Sequence, residues 1–267
     1  MNKTNLKYTK KKLEKIRWDI INQSYLKKSG HLGGCLSSVD IIYLIYKFLL
    51  KKNDSFVLSK GHCALTLYAV LKNLKKISSK EFSKFLVQGS FYGEHPSPKL
   101  NQKLFQFSTG SLGHGLGFGC GISYGNKLNK KKDQTYIVIS DGELNCGTTW
   151  EAIMLAGKLK LDNIIVILDF NKLQATGKSE DILNLRNLTT RFKSFGWHVL
   201  RGSGHNFGEM SKKLTILKNL KNRPKIYIAD TIKGKGISFM EGDNNWHYRS
   251  PNKIDLQKCK MELNLIK

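Results

Sequence analysis

Asp141-Gly142 and, thirty residues later, Asn171 are the side chains in this sequence best suited to holding a cation. Asp141 closes a short β-branched run at 135–140, and Asn171 follows another at 164–169. One strand–helix–strand unit separates them, so both side chains are expected at the carboxyl ends of parallel strands, the edge at which open α/β sheets bind ligands. A carboxylate, an amide oxygen and a nearby backbone carbonyl form an incomplete set of hard oxygen ligands. Such a set suits Mg²⁺ or Ca²⁺ when phosphate oxygens fill the remaining positions. Taken alone, the same residues also read as a strand-end turn and a loop asparagine.

Five of the seven histidines add to this pattern. His31, His62, His95, His114 and His247 sit in loops marked by glycine or proline or beside Trp246. A lone loop histidine is usually incidental, but several in tight turns suggest convergence on one pocket, where imidazoles bind phosphate and shuttle protons. His198 and His205 lack such a setting and read as structural. Seven glycines between 110 and 125 fall in a helical pattern, where each costs roughly 1 kcal/mol relative to alanine. Something must require close backbone approach there, either a ligand diphosphate or a tightly packed helix. No GxGxxG occurs, and Gly177-Lys178-Ser179 lacks the upstream glycine of a P-loop, so nicotinamide and P-loop nucleotide sites lose their main support.

The elements that must hold these residues follow from periodicity. Helical spacing covers 9–28, a loop runs through Gly34, and Ser37-Ser38-Val39-Asp40 resembles a capping box opening a helix over 38–50. A short strand at 55–58 precedes helices at 64–72 and 78–87, and a long loop spans 88–108. Strands at 135–140, 164–169, 196–200 and 225–230 alternate with helices at 147–160, 182–194 and 207–220. Alternation of this kind predicts βαβ units, hence a mostly parallel sheet with helices on both faces. No linker or repeat breaks the pattern, so residues 1–267 read as one α/β domain with a tail helix near 252–265.

Composition narrows the function classes. The formal net charge is +25, yet only six of the 45 basic residues are arginine. Lysine spread over most surface segments fits a Lys-rich surface better than a nucleic-acid reader, which leans on arginine. The charge still favours anionic substrates or an acidic partner. No apolar run is long enough to span a bilayer, no apolar leader is present, and the five scattered cysteines contain no CxxC pair. A reducing, cytoplasmic setting is expected.

Six segments in order resemble the N-terminal portion of transketolases: Ser29-Gly30-His31, 56–62 (FVLSKGH), Glu94-His95-Pro96, 109–113 (TGSLG), Asp141-Gly142 with Asn171-Lys172, and 233–241 (KGKGISFME) followed by Trp246-His247. Each is weakly specific, but their order is not, and together they cover nearly the whole chain. The Lys-Gly-Lys-Gly tail is most similar to split transketolases, whose halves are separate chains. The resemblance implies a three-layer thiamine-diphosphate-binding fold and a transketolase subunit passing a two-carbon ketol unit between sugar phosphates. It implies that Asp141, Asn171 and the Leu173 carbonyl hold Mg²⁺ or Ca²⁺ on the cofactor diphosphate. His62 and the Gly110-Ser111-Leu112 turn would line the diphosphate and thiazolium, Gly142 would admit the phosphates, and His31, His95 and His247, with His62, would serve as the catalytic histidines.

A separate C-terminal subunit would supply the pyrimidine-binding domain and the activating glutamate, in an α₂β₂ assembly built around the glycines. Alternatives are a deoxyxylulose-phosphate-synthase-like or 2-oxo-acid-dehydrogenase-like subunit, which lack this set of loop histidines, or a cofactor-binding remnant without turnover. The chain departs from the family pattern at Ser140 (usually Gly), His114 (often Gln), Tyr248 (usually Gly) and Cys146 (usually Glu), while Glu151 is retained. Cys146 is the departure expected to weaken turnover most, because it removes an acid from a buried proton network.

Overall fold

The computed structural model describes residues 3–98, 107–110, 112–184 and 186–265. Its centre is a five-stranded, wholly parallel sheet in the order β1-β2-β3-β5-β4, formed by β1 (Ser55–Leu58), β2 (Thr135–Ser140), β3 (Ile164–Phe170), β4 (His198–Ser203) and β5 (Lys225–Asp230). The helices are α1 (Lys3–Lys27), α2 (Leu32–Ser37), α3 (Val39–Leu44), α4 (Ala64–Asn73), α5 (Ser79–Phe82), α6 (Gly115–Leu128), α7 (Gly147–Lys158), α8 (Ser179–Ile182), α9 (Leu188–Ser194), α10 (Phe207–Asn219) and α11 (Lys253–Glu262).

Alternate residues of each central strand face opposite layers, as the two-residue period demands. Tyr136, Val138, Ile165, Ile167 and Tyr227 pack with side chains of α1–α4 and α10. Ile137, Ile139, Val166, Leu168 and Ile228 pack with those of α6, α7 and α9. Strands buried on both faces explain why they read as continuous apolar runs rather than alternating ones. The crossovers through α7 and α9 step outward along the sheet on one face, while the return from β4 to β5 through α10 uses the other. A uniform crossover hand requires that division.

Several expected boundaries shift, each for a local reason. The segment expected as loop through Gly34 is helical from Leu32, leaving His31 in the left-handed region at φ 61°. The capping box expected at Ser37-Ser38 does not form. Ser37 Oγ donates to Gly34 O and to Asp169 instead, and Asp40 turns to Arg17 and His205. The helix expected over 38–50 is α3 followed by a π-helical turn, Ile45–Leu49. The expected helix 78–87 shrinks to α5, whose Ser78–Glu81 capping box is present. The helix expected over 182–194 splits into α8 and α9, and β4 begins two residues later than expected, at His198.

The layering also positions the cleft. From the tips of β1 and β5 the chain turns toward the α1–α4 layer, whereas from β2 and β3 it turns toward the α7 and α9 layer. The tips part and leave a crevice between two sets of loops.

Candidate active site

That crevice is a cleft of about 360 Å³. Its wall on one side carries Asp141, Gly142, Asn171, Leu173, Gln174 and Ala175, and on the other His31, Gly34, Lys60, His62, Lys233, His247 and Tyr248. His95, Gly110 and Leu112 close a third side. The structure therefore brings to one cleft ten of the eleven residues expected to act as catalytic, cofactor-binding or metal-binding groups; the other, Ser111, lies outside the described residues.

β2 and β3 are direct neighbours, with Ser140 opposite Asp169, so Asp141 and Asn171 leave adjacent strand tips on the same edge of the sheet. Asp141 is buried, and its carboxylate accepts from Ser179 Oγ (2.8 Å) and from the Gly142 amide (3.0 Å). Burial dominates over these bonds and pushes its pKa up to about 6, with nearby Asp169 adding to the rise and Lys60 opposing it. A cation beside Asp141 would relieve this. Asn171 Oδ1 accepts from the Leu173 amide at 3.0 Å, which curls the loop after β3 around the asparagine. Among the described residues no cluster of three His, Cys, Asp or Glu could hold a metal. A cation here would rest on one carboxylate, an amide oxygen and a carbonyl, which is a hard-ion donor set completed by ligand oxygens. The residues present fit a diphosphate-bound Mg²⁺ or Ca²⁺.

Opposite stand three imidazoles. The ring centres of His31 and His62 are 5.4 Å apart, those of His31 and His247 5.3 Å, and those of His62 and His247 6.3 Å. The His31 amide donates to His247 O at 2.6 Å, which couples two loops far apart in sequence. Burial first, then His62, lowers the pKa of His31. Burial, then Lys233 and the other two imidazoles, lowers that of His247 to about 3. His95 packs over Gly110, where an added Cβ would meet its ring at 3.4 Å. Gly61 is needed for a different reason, since a Cβ there would fall 2.5 Å from Thr109 O. His114 lies at the start of α6, away from the cleft, and His205 pairs with Asp40 as a structural group. Tyr248 is exposed, with its ring 4.6 Å from that of His247.

Four residues matter that sequence reasoning left without a role. Lys60 is buried beneath the cleft and donates to Asp169 (2.5 Å) and to Gly34 O (3.2 Å). Asp169, inside β3, also accepts from Ser37 Oγ (2.7 Å) and Thr231 Oγ1, tying the tips of β1, β3 and β5 to α2. Lys233 reaches the cleft from the loop after β5. Glu143 is fully buried, accepts from Ser59 Oγ and the Gly113 amide (3.2 Å), and its Oε2 has no hydrogen-bond partner within ordinary bonding distances among the described residues. Cys146 packs against Gly113 beside this acid; burial, and then the acid, raise its thiol pKa. Lys60 and Lys233 were visible in the sequence only as parts of the family-like segments 56–62 and 233–241. A charged residue in an apolar-flanked strand, such as Asp169 in 164–170, was the available signal.

A larger cleft, about 490 Å³, is lined largely by the 170–188 segment, with Lys172, Lys178, Arg186 and Arg201 around it; of the expected catalytic, cofactor and metal-binding residues it includes Leu173.

The family profile described as the thiamine diphosphate binding domain of transketolase matches residues 8–265. One of the subunits of an apulose-4-phosphate transketolase, from Phocaeicola vulgatus, is 33% identical over 260 residues, covering 94% of this chain and 92% of that one. Human transketolase is 34% identical over 243 residues, but the match spans only 38% of that longer protein. The crystal structure of transketolase from Campylobacter jejuni superposes with a TM-score of 0.87 at 26% identity, covering 99% of this chain and 43% of that one.

Proposed function

The chain belongs to the family of transketolase thiamine-diphosphate-binding domains, and from that premise we propose that it is the N-terminal subunit of a split transketolase. It acts with a separate C-terminal subunit to move a two-carbon ketol unit between phosphorylated sugars. The observation that carries this reading is one cleft with a hard-oxygen cation site on one wall and a histidine cluster on the other. Other thiamine-diphosphate classes need the first wall, whereas a polyhydroxylated sugar calls for the second. Similarity to a chain of comparable length, itself one of the subunits of a transketolase, supports a separate partner.

In this reading residues 1–267 form one domain. Asp141, Asn171 and the Leu173 carbonyl hold Mg²⁺ or Ca²⁺ against the cofactor diphosphate. Bound thiamine diphosphate supplies an electron sink for cleavage of a carbon–carbon bond next to a carbonyl. Gly142, where the nearest atoms to an added Cβ are those of the Gln174 side chain at ordinary distance (3.5 Å), leaves room for the phosphates. Lys60 adds positive charge beneath that end of the cleft. His31, His62 and His95 bind substrate hydroxyls and carry protons, and His247 binds a substrate oxygen. Glu143 keeps a buried acid beside Cys146, so loss of the family's acid at that position does not empty the neighbourhood of carboxyl groups.

The partner subunit supplies the pyrimidine-binding wall and its activating glutamate, in an α₂β₂ assembly. Support for such packing comes from α6, where a Cβ added to Gly117, Gly121 or Gly125 would meet no other part of the described residues within 4 Å, beside exposed Phe118, Tyr124, Met154 and Leu155. An apolar face so open is costly to leave in water.

Calorimetric titration of thiamine diphosphate with Mg²⁺, with and without the partner chain, tests the site. Asp141→Ala should abolish detectable binding, and binding equal to wild type would refute the assignment. The reconstituted pair should transfer a two-carbon unit from xylulose 5-phosphate. Binding without transfer would mark the chain as a cofactor-binding remnant.

A further inference from the structure

Lys233 is buried, although it lies on a loop between β5 and α11. The fold is shaped around its stem. A Cβ on Gly33 would fall 2.9 Å from Lys233 Cγ, and the Gly234 amide donates to Gly33 O at 2.9 Å, clamping the lysine's backbone to α2. Gly234 itself sits at φ 79°, with Met240 O 2.1 Å from where a Cβ would be, so only glycine turns the chain there.

At the end of this channel the Lys233 ammonium meets three acceptors: Gln174 O at 3.1 Å, Asn244 Oδ1 at 2.6 Å and His247 Nδ1 at 2.9 Å. The orientation of the Asn244 amide is set independently, because its Nδ2 donates to Ala175 O at 3.0 Å. An ammonium carries three protons and no lone pair, which matches three acceptors. A neutral amine in the same position would have to accept a proton from His247 instead. The two states share heavy-atom positions and differ in where the protons lie.

We propose that Lys233 is a positioning residue that holds His247 as the neutral Nε2–H tautomer, so that the imidazole offers a donor, and never a base, to the cleft. Asp141 favours the ammonium electrostatically, and burial, though it lowers the Lys233 pKa to about 8, leaves it charged at neutral pH. The groups facing His247 agree with this tautomer. Lys233 approaches from the β5 loop, His31 from before α2, His62 and Cys63 from after β1, and the Tyr248 ring from its own loop. Among these, only the sulfur of Cys63 favours a second proton on the ring. Of the two ring nitrogens Nδ1 is occupied, so Nε2–H is the one left for a ligand. His247 then hydrogen-bonds a substrate oxygen that accepts, and proton transfer falls to the other imidazoles. The functional meaning rests on the proposed substrate role of His247; the proton position does not.

The test is nitrogen-15 NMR of the histidine side chains in the full chain, without cofactor or partner, so its outcome is separable from that of the transketolase reading. In wild type, His247 Nδ1 should give the shift of an unprotonated acceptor and Nε2 that of a protonated nitrogen, with no titration from about pH 7 to 5. In Lys233→Met, the tautomer preference should be lost and the titration should move up toward the ordinary imidazole value of about 6.5. Asn244→Ala, which disturbs the same loop but keeps the donor, should leave the His247 tautomer unchanged. A proton on Nδ1 in wild type, or a Lys233→Met spectrum identical to wild type, would overturn the proposal. Should Lys233→Met not fold, the wild-type spectrum decides alone, because a proton on Nδ1 at neutral pH is incompatible with an ammonium at that nitrogen.

Discussion

Replacing Lys60 by methionine removes one member of a buried ion pair and leaves the other in place. Lys60 Nζ and Asp169 are 2.5 Å apart, with the lysine side chain 1% and the aspartate side chain 0% exposed. A methionine side chain there would fill similar volume but donate nothing. Asp169 would keep Ser37 and Thr231 as neutral donors, and Gly34 O would lose its charged one. Stranding one charge of such a pair costs about 3–5 kcal/mol, whereas removing both is often close to neutral. Against a typical total of roughly 5–15 kcal/mol, the single variant would lose about a fifth of its stability or more. Lys60→Met combined with Asp169→Asn, whose amide oxygen still accepts from Ser37 or Thr231, should regain at least about 2 kcal/mol. Urea unfolding at about 25 °C on wild type, both single variants and the double variant provides the cycle. Asp169 raises the Lys60 pKa above its ordinary value, so the contribution is fully present below about pH 10.5 and lost only as pH rises further. The Lys60→Met deficit should therefore be flat between about pH 6 and 9. A deficit under about 1 kcal/mol, or a double variant no more stable than Lys60→Met, would refute the buried-pair reasoning.

Other outcomes follow from particular contacts. An alanine Cβ at position 115 would fall 2.7 Å from the Ser59 backbone, so Gly115→Ala should cost about 1–3 kcal/mol in urea unfolding. Gly121→Ala meets nothing within 4 Å and should gain about 0.5–1 kcal/mol in the same assay. Gly121→Leu should leave the isolated chain folded but weaken association with its partner in sedimentation; unchanged assembly would rule this face out as the interface. Burial lifts Asp141 from 3.8 to about 6, so the metal-free fold binds this proton more tightly than the unfolded chain. Stability should then fall by about 3 kcal/mol as pH rises between those values and stay lower above them. Asp141→Asn should flatten that slope in thermal melts, and an unchanged slope would locate its origin elsewhere.

How much could be read beforehand differs from element to element. Asp141 and Asn171 were legible because a strand's end is a local property, and parallel neighbours force two such ends to one edge. β1, β2, β3 and β5 were legible as short apolar runs buried along their length, whereas β4, at the edge of the sheet, is only half-buried. The segment 39–49 is helical as expected, but its capping box was misjudged because Ser37 had a stronger partner elsewhere: it serves Asp169, 132 positions away. The split of 182–194 into α8 and α9 followed a segment that first curls back, with Ser179 donating to Asp141.

Apolar periodicity, glycine placement and the order of short motifs lie along the chain itself, and from them came the layered fold, the strand tips and the histidine-bearing loops. Which charge meets which was decided only when those loops packed together. Lys60 finds Asp169 across 109 positions, and Lys233 finds both Gln174, 59 positions away, and His247. The physical reason is that local backbone preference acts over a few residues, whereas a buried charge is stable only where folding delivers enough partners to replace the water it has lost.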